Sequence, residues 1–248
     1  MVDRPTARLA RRRCLVAAFV LTVGATLGTF RPLQAAVTLP IPPAVPAGER
    51  KRLEEVVRQS FASTQQSADA YPVRPEIFEY LLDHPEFASH VTRALKAARY
   101  RIWQEHGTLW LDDGWGVRGT FWTVYAQPGL RLMMAQGAYQ SALPDIKGRA
   151  VVALAYGFQP GPTGRPQVAT TVTSFVEIDS GVIRVIGKVG GPLVQRKADR
   201  EARTLLKVFA KVIRLIEENP ADVYARLKAR PDVPKPELEE FRKLLGVP

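Results

Sequence analysis

From Arg99 to Val189 the apolar residues recur at a period of two, in short runs set apart by turn signals. That pattern confines the chain to an antiparallel sheet. The runs are "RYRIWQEHG", "WGVRGTFWTVYA", "LRLMMAQGAYQ", "RAVVALAYGFQ", "QVATTVTSFVEID" and "GVIRVIGKV", all rich in β-branched and aromatic residues. Between them stand Asp112–Asp113–Gly114, Gln127–Pro128–Gly129, Pro144 to Gly148, Pro160 to Pro166 and Asp179–Ser180–Gly181. Connections this short pair successive strands antiparallel, and with no helix among them a doubly wound sheet is excluded.

Helical patterns flank the strands. "ERKRLEEVVRQSFASTQQ" sets Leu53, Val56, Val57 and Phe61 at helical spacing. In "RPEIFEYLLDHPEFASHVTRALKAA", Pro75 suits a first turn, and Ile77, Phe78, Leu81 and Leu82 form an apolar stripe. His84–Pro85 breaks it, and a second short helix runs through Phe87, Val91 and Leu95. Beyond Gly190–Gly191–Pro192, which reads as a sharp turn, Val194, Ala198, Ala202, Leu205, Phe209, Val212, Ile213 and Ile216 fall on one helical face. Such a stripe must be buried, and the sheet is the large apolar surface available. The expectation is an α+β fold: about six or seven antiparallel strands covered by a long helix near the C-terminus. After Asn219, which can cap a helix starting at Pro220, a further helix from Pro236 carries Leu238, Phe241, Leu244 and Leu245. It is expected to pack back on the domain, the alternative being a docking element for a partner or membrane surface.

The first 36 residues read as a secretory leader. Arg8, Arg11, Arg12 and Arg13 precede an apolar core from about Leu15 to Phe30, and cleavage is expected after Ala35 or Ala36, giving an exported, periplasmic protein. The alternative is an uncleaved membrane anchor. Residues 1–36 hold six arginines and one aspartate, so their loss lowers the formal charge from +11 to +6. The remaining cations are dispersed, which argues against a nucleic-acid partner and leaves room for contact with an anionic membrane surface. Cys14, the single cysteine, leaves with the leader, so no disulfide or thiolate site is expected. "TLPIPPAVPAGE" (residues 38–49) reads as a stiff, proline-rich linker, followed by a helical extension over 49–70 and the tail over 220–248.

Motifs for chemistry are absent. No His-Glu-x-x-His, Gly-x-Ser-x-Gly, P-loop or dinucleotide fingerprint occurs, so no metal, cofactor or catalytic residue is expected. His84 and His90 are expected to face solvent, as is Glu177.

"PEIFEYLLDHPEF", then an antiparallel sheet, then a last strand turning through glycines into one long helix, resembles the START-like superfamily with its helix-grip fold. The resemblance covers roughly Tyr71 to Asn219. Members usually place a strand before the helical pair, and here only "ADAYPV" could serve. The resemblance implies an elongated cavity between sheet and helix for an apolar small molecule, a lipid foremost. It would be lined by Ile102, Phe121, Leu132, Met134, Leu154, Tyr156, Val172, Ser174 and Val185 of the strands and Leu205 and Phe209 of the helix. Scattered hydroxyls on an apolar strand face, as along Val168, Thr170, Val172 and Ser174, suit such a cavity. Lipid binding or transport is the leading function. A cyclase or aromatase using His106, Tyr125, Tyr139, Tyr156 or Glu177 is one alternative, and a filled-core interaction module another.

Overall fold

The computed structural model describes residues 37–140, 146–162 and 164–248, except for the side chains of 180–191 and 193. The expected leader lies outside these residues. Seven strands form one antiparallel sheet: β1 (Ala62–Pro72), β2 (Arg101–Glu105), β3 (Thr108–Asp112), β4 (Val117–Gln127), β5 (Leu130–Tyr139), β6 (Ile146–Pro160) and β7 (Pro166–Ile178). β2 to β7 follow one another as a meander, and β1 joins the far edge beside β7. Helix α1 (Ala47–Arg58) precedes β1, and α2 (Pro75–Asp83) and α3 (Pro85–Ala94) lead from β1 to β2. The chain ends in α4 (Ser180–Glu218), α5 (Pro220–Lys228) and α6 (Lys235–Leu245). Strand order and the long helix together make this a helix-grip arrangement.

Local chemistry explains the joints. Pro75 and Pro85 each stand in a first helical turn, where a missing N–H costs nothing. The β2–β3 hairpin turns on His106 and Gly107, both at positive φ, as a two-residue hairpin requires. Gly119, Gly137 and Gly148 lie opposite one another across β4, β5 and β6. A Cβ on Gly137 would sit 2.6 Å from the Arg118 carbonyl oxygen, and one on Gly119 would run into the Gln136 carbonyl. Adjacent strands approach here in a way only glycine allows.

Two segments differ from the sequence reading. The helical pattern through Gln66 ends at Arg58, and β1 occupies Ala62–Pro72, so the strand before the helical pair is full length. "GVIRVIGKV", read as the last strand, is the beginning of α4, which continues through Pro192. Its valines and isoleucines fit either period, and a short apolar run cannot be assigned by periodicity alone. The place beside β7 that a further strand would take is held by β1.

Both faces of the sheet are covered. Leu132, Met134, Val151, Ala153 and Phe175 point to one side, where they pack with Leu53 and Val56 of α1 and with Leu39 and Val45 of the proline-rich segment. That segment is therefore a packed strap on the sheet's outer face. On the inner face, Leu154, Tyr156, Val168 and Val172 meet Phe78 of α2, Val91 of α3 and Leu206, Ile213 and Ile216 of α4. Helix α4 runs along β1: the Gln195 amide donates to Ser63 O (2.6 Å) and accepts from Ser63 N (3.3 Å), while Glu217 accepts from Arg74 N (3.0 Å). Because it lies over this edge, its buried line is Ala202, Leu206, Ala210, Ile213 and Ile216. Leu205, expected on the stripe, is one residue and about 100° away from Leu206 and is 45% exposed. The tail packs back, Phe241 standing 5.2 Å from Phe87 and 5.8 Å from Tyr80 between ring centroids.

Phe241 is fully buried, whereas Phe209 is half-buried against Phe78. Phe241→Ala should therefore cost about 3–5 kcal/mol and Phe209→Ala distinctly less, as read by urea unfolding. Equal losses would contradict this packing.

Candidate functional site

The inner face changes character along the sheet. Near α2 and the second half of α4 it is closed: Leu154, Val168 and Val172 are buried. Toward β4 and β5, Phe121, Met133, Ala135, Val152 and Ser174 share the same face by register but are only half-buried. Met133 and Val152 adjoin the core, so the strip is continuous with packed apolar side chains. Lys197 of α4 reaches this side, its Nζ 5.2 Å from the Tyr139 ring centre.

A recess of about 600 Å³ lies between the end of α3, α4 and the β3–β4 loop, lined by Arg93, Lys96, Ala97, Ala98, Arg99, Trp115, Thr204 and Val208. Trp115 is 53% exposed, which is unusual for tryptophan, and its position is built in. Asp113 accepts from Trp115 N (2.7 Å) and Val117 N (2.9 Å), and Asp112 accepts from Gly114 N (2.8 Å). Gly114, at φ 75°, lies close against Arg99, fixing the loop on the segment after α3.

At the closed end sits a polar network. Arg131 is 7% exposed. Its Nη1 donates to Tyr156 Oη (2.9 Å) and Gln127 O (2.6 Å), and its Nη2 to Glu79 (2.7 Å) and Asp83 (3.0 Å). The Tyr156 hydroxyl donates to Glu79 at 2.8 Å. Burial works against the Arg131 charge, but the bond to Asp83 and the neighbouring Tyr156, Asp83 and Glu79 outweigh it and hold its pKa above the ordinary value. Burial, then the bond to Glu79, pushes Tyr156 up to about 12. At neutral pH the guanidinium stays charged and the phenol stays protonated. The network clasps α2 to β5 and β6.

The other residues considered for acid–base work are scattered. His106 is exposed in the β2–β3 turn, the Tyr125 hydroxyl donates to Gln127 (2.6 Å), and Tyr139 lies under Lys197. Glu177 is on the outer face in an ion pair with Arg149 (2.8 Å), which also reaches Glu55 of α1 (3.3 Å), so it is paired rather than free in solvent. His90 is 6% exposed and enclosed by Arg93 (2.9 Å) and Asp232 (3.6 Å), contrary to the solvent-facing expectation. The C-terminal tail, which folds over α3, encloses it. His84 is half-buried and stacks on Tyr80 at 4.1 Å.

Of the residues expected to line a cavity, Ile102, Phe121, Leu154, Tyr156, Val172 and Ser174 share the inner face. Leu132 and Met134 belong to the outer face, packed beneath α1 and the strap. A shift of one residue exchanges faces in a strand, and here both faces are apolar, so hydrophobicity did not distinguish them. Leu205 is exposed, Phe209 packs on Phe78 at 5.3 Å, and the Val185 side chain lies outside the described residues. Lys96, Arg99 and Trp115 escaped the sequence reading. Their signals were a basic cluster after a helix and a tryptophan inside a turn.

No family model matches the chain, and no curated protein does. Among solved structures, a Helicobacter pylori hypothetical protein is similar at 8% identity and TM-score 0.35, covering 61% of this chain and 84% of that one. Norcoclaurine synthase from Thalictrum flavum is similar at 11% identity and TM-score 0.34 in a truncated form, covering 61% of this chain and 95% of that one. A second structure of the same enzyme gives 11% identity and TM-score 0.33, covering 63% and 91%.

Burial, then the Arg93 charge, lowers the His90 pKa below its usual value, so the folded state binds fewer protons than the unfolded chain. This contribution is complete above the unfolded value of about 6.5 and is lost as pH falls below it toward the folded pKa. Thermal unfolding from pH 7 to pH 5 should show declining stability, and His90→Gln should flatten that decline. An unchanged slope in the variant would contradict the assignment.

Proposed function

We propose that this chain binds an apolar ligand, lipid-like in character, along the inner face of the sheet between β4–β6 and α4. The observation that carries it is the half-buried strip of Phe121, Met133, Ala135 and Val152, which borders a closed core. Apolar side chains left partly exposed inside a helix-covered face gain free energy when an apolar molecule completes their burial, by about 25 cal/mol per Å². With its leader removed, the protein acts outside the cytoplasm, binding or carrying the ligand in the periplasm. The cyclase alternative is less favoured, because His106, Tyr125, Tyr139, Tyr156 and Glu177 do not converge on one site.

Two measurements test this reading. Met133→Trp should fill the strip and weaken binding of an apolar fluorescent probe by roughly tenfold or more, with little change in melting temperature. Undiminished probe binding would overturn the location. N-terminal sequencing of the protein from the periplasmic fraction should begin at Ala36 or Val37, and a full-length chain retained in membranes would overturn export.

A further inference from the structure

We infer that the recess beside Trp115 receives the anionic head group of an amphiphile, with Lys96 and Arg99 supplying the charge and Trp115, Ala97 and Val208 the apolar collar. This rests on the reading that an apolar ligand occupies the inner face, and it specifies that ligand as a chain bearing a carboxylate or phosphate.

Three of the residues that line the recess are cations and none is acidic. Arg93 is committed elsewhere, to Asp232 at 3.3 Å and His90 at 2.9 Å. Among the described residues Lys96 and Arg99 have no carboxylate partner. Asp112 and Asp113, in the loop that carries Trp115, are turned into that loop as backbone acceptors. Cations gathered at a partly enclosed apolar surface repel one another and lack a counter-charge, so the recess favours an anion.

The end of α3 adds a second, independent observation. Ala97 N donates to Thr92 O (3.0 Å) and Lys96 N to Arg93 O (3.1 Å), the pair of bonds that closes a helix in a Schellman motif. The residue after the cap in that motif is usually glycine, because it takes a left-handed conformation. Here it is Lys96, at φ 52°. A side chain in that conformation is strained, and its effect is to place an ammonium group at the recess. Trp115, largely exposed, and Val208, half-buried, give the apolar boundary a chain leaving a charged head would cross. An amphiphilic anion satisfies both halves at once.

The test compares dodecanoate, dodecanol and inorganic phosphate on the full-length mature chain, below micellar concentrations and at low salt. Dodecanoate should bind roughly tenfold or more tightly than dodecanol, the yield of a charge-assisted contact. Lys96→Gly combined with Arg99→Gln should abolish that preference and leave dodecanol affinity unchanged. Lys96→Gly alone should raise the melting temperature while weakening dodecanoate binding, a combination that a purely structural lysine would not give. Equal affinities in the wild type, or a preference that survives the double variant, overturn the head-group assignment while the apolar-ligand reading stands. If neither dodecyl compound binds, that reading falls as well. Phosphate binding as tightly as dodecanoate would make the recess a site for free anions and the amphiphile wrong.

Discussion

Everything in this molecule follows from a sheet that is apolar on both faces. A sheet of that kind cannot present either side to water, so the chain supplies a layer to each. Leu53 and Val56 of α1, with Leu39 and Val45 of the strap, close one side over Leu132, Met134 and Phe175. The other side needs more cover, and α2, α3 and α4 provide it, backed by α5 and α6 through Phe241. Seating α4 along β1, fixed at Ser63 and Arg74, commits its buried line to the β1–β7 edge. The inner face near β4 and β5 is then left half-covered.

Polar groups make that arrangement specific. Arg131 ties α2 to two central strands through Glu79, Asp83 and Tyr156. Breaking such a buried pair strands a charge, so the clasp fixes where α2 sits more than it adds net stability. Arg149 does the equivalent on the outer face, joining Glu55 of α1 to Glu177 of β7. The glycine row at 119, 137 and 148 lets neighbouring backbones approach where side chains would collide. That row adjoins the half-covered strip.

The fold was legible in outline because its strands alternate and its helices are amphipathic, and both signals are local. Three features were hidden by the physics that normally reveals them. β1 is polar along its exposed side, so "STQQSADA" lacked the usual apolar alternation. The start of α4 is rich in valine and isoleucine, which suggested a strand until β1 is seen to occupy the place beside β7. Parity in β5 was ambiguous because Arg131 and Met133 face inward while Leu132 and Met134, the more regular apolar pair, face the strap. The site suffered most, since it combines residues from a helix cap, a turn and α4 that only tertiary structure brings together.

That parity also supplies the most direct test of the central claim, that the ligand space lies on the inner face. Met133 and Met134 are chain neighbours on opposite faces, the first half-buried in the strip and the second sealed under α1. Beyond Met1 they are the only methionines in the chain. In protein carrying ¹³C-labelled methionine methyl groups, titration with an apolar ligand should shift the Met133 resonance and leave that of Met134 in place. A shift confined to Met134, or no shift at either methyl at saturating ligand, would contradict the account.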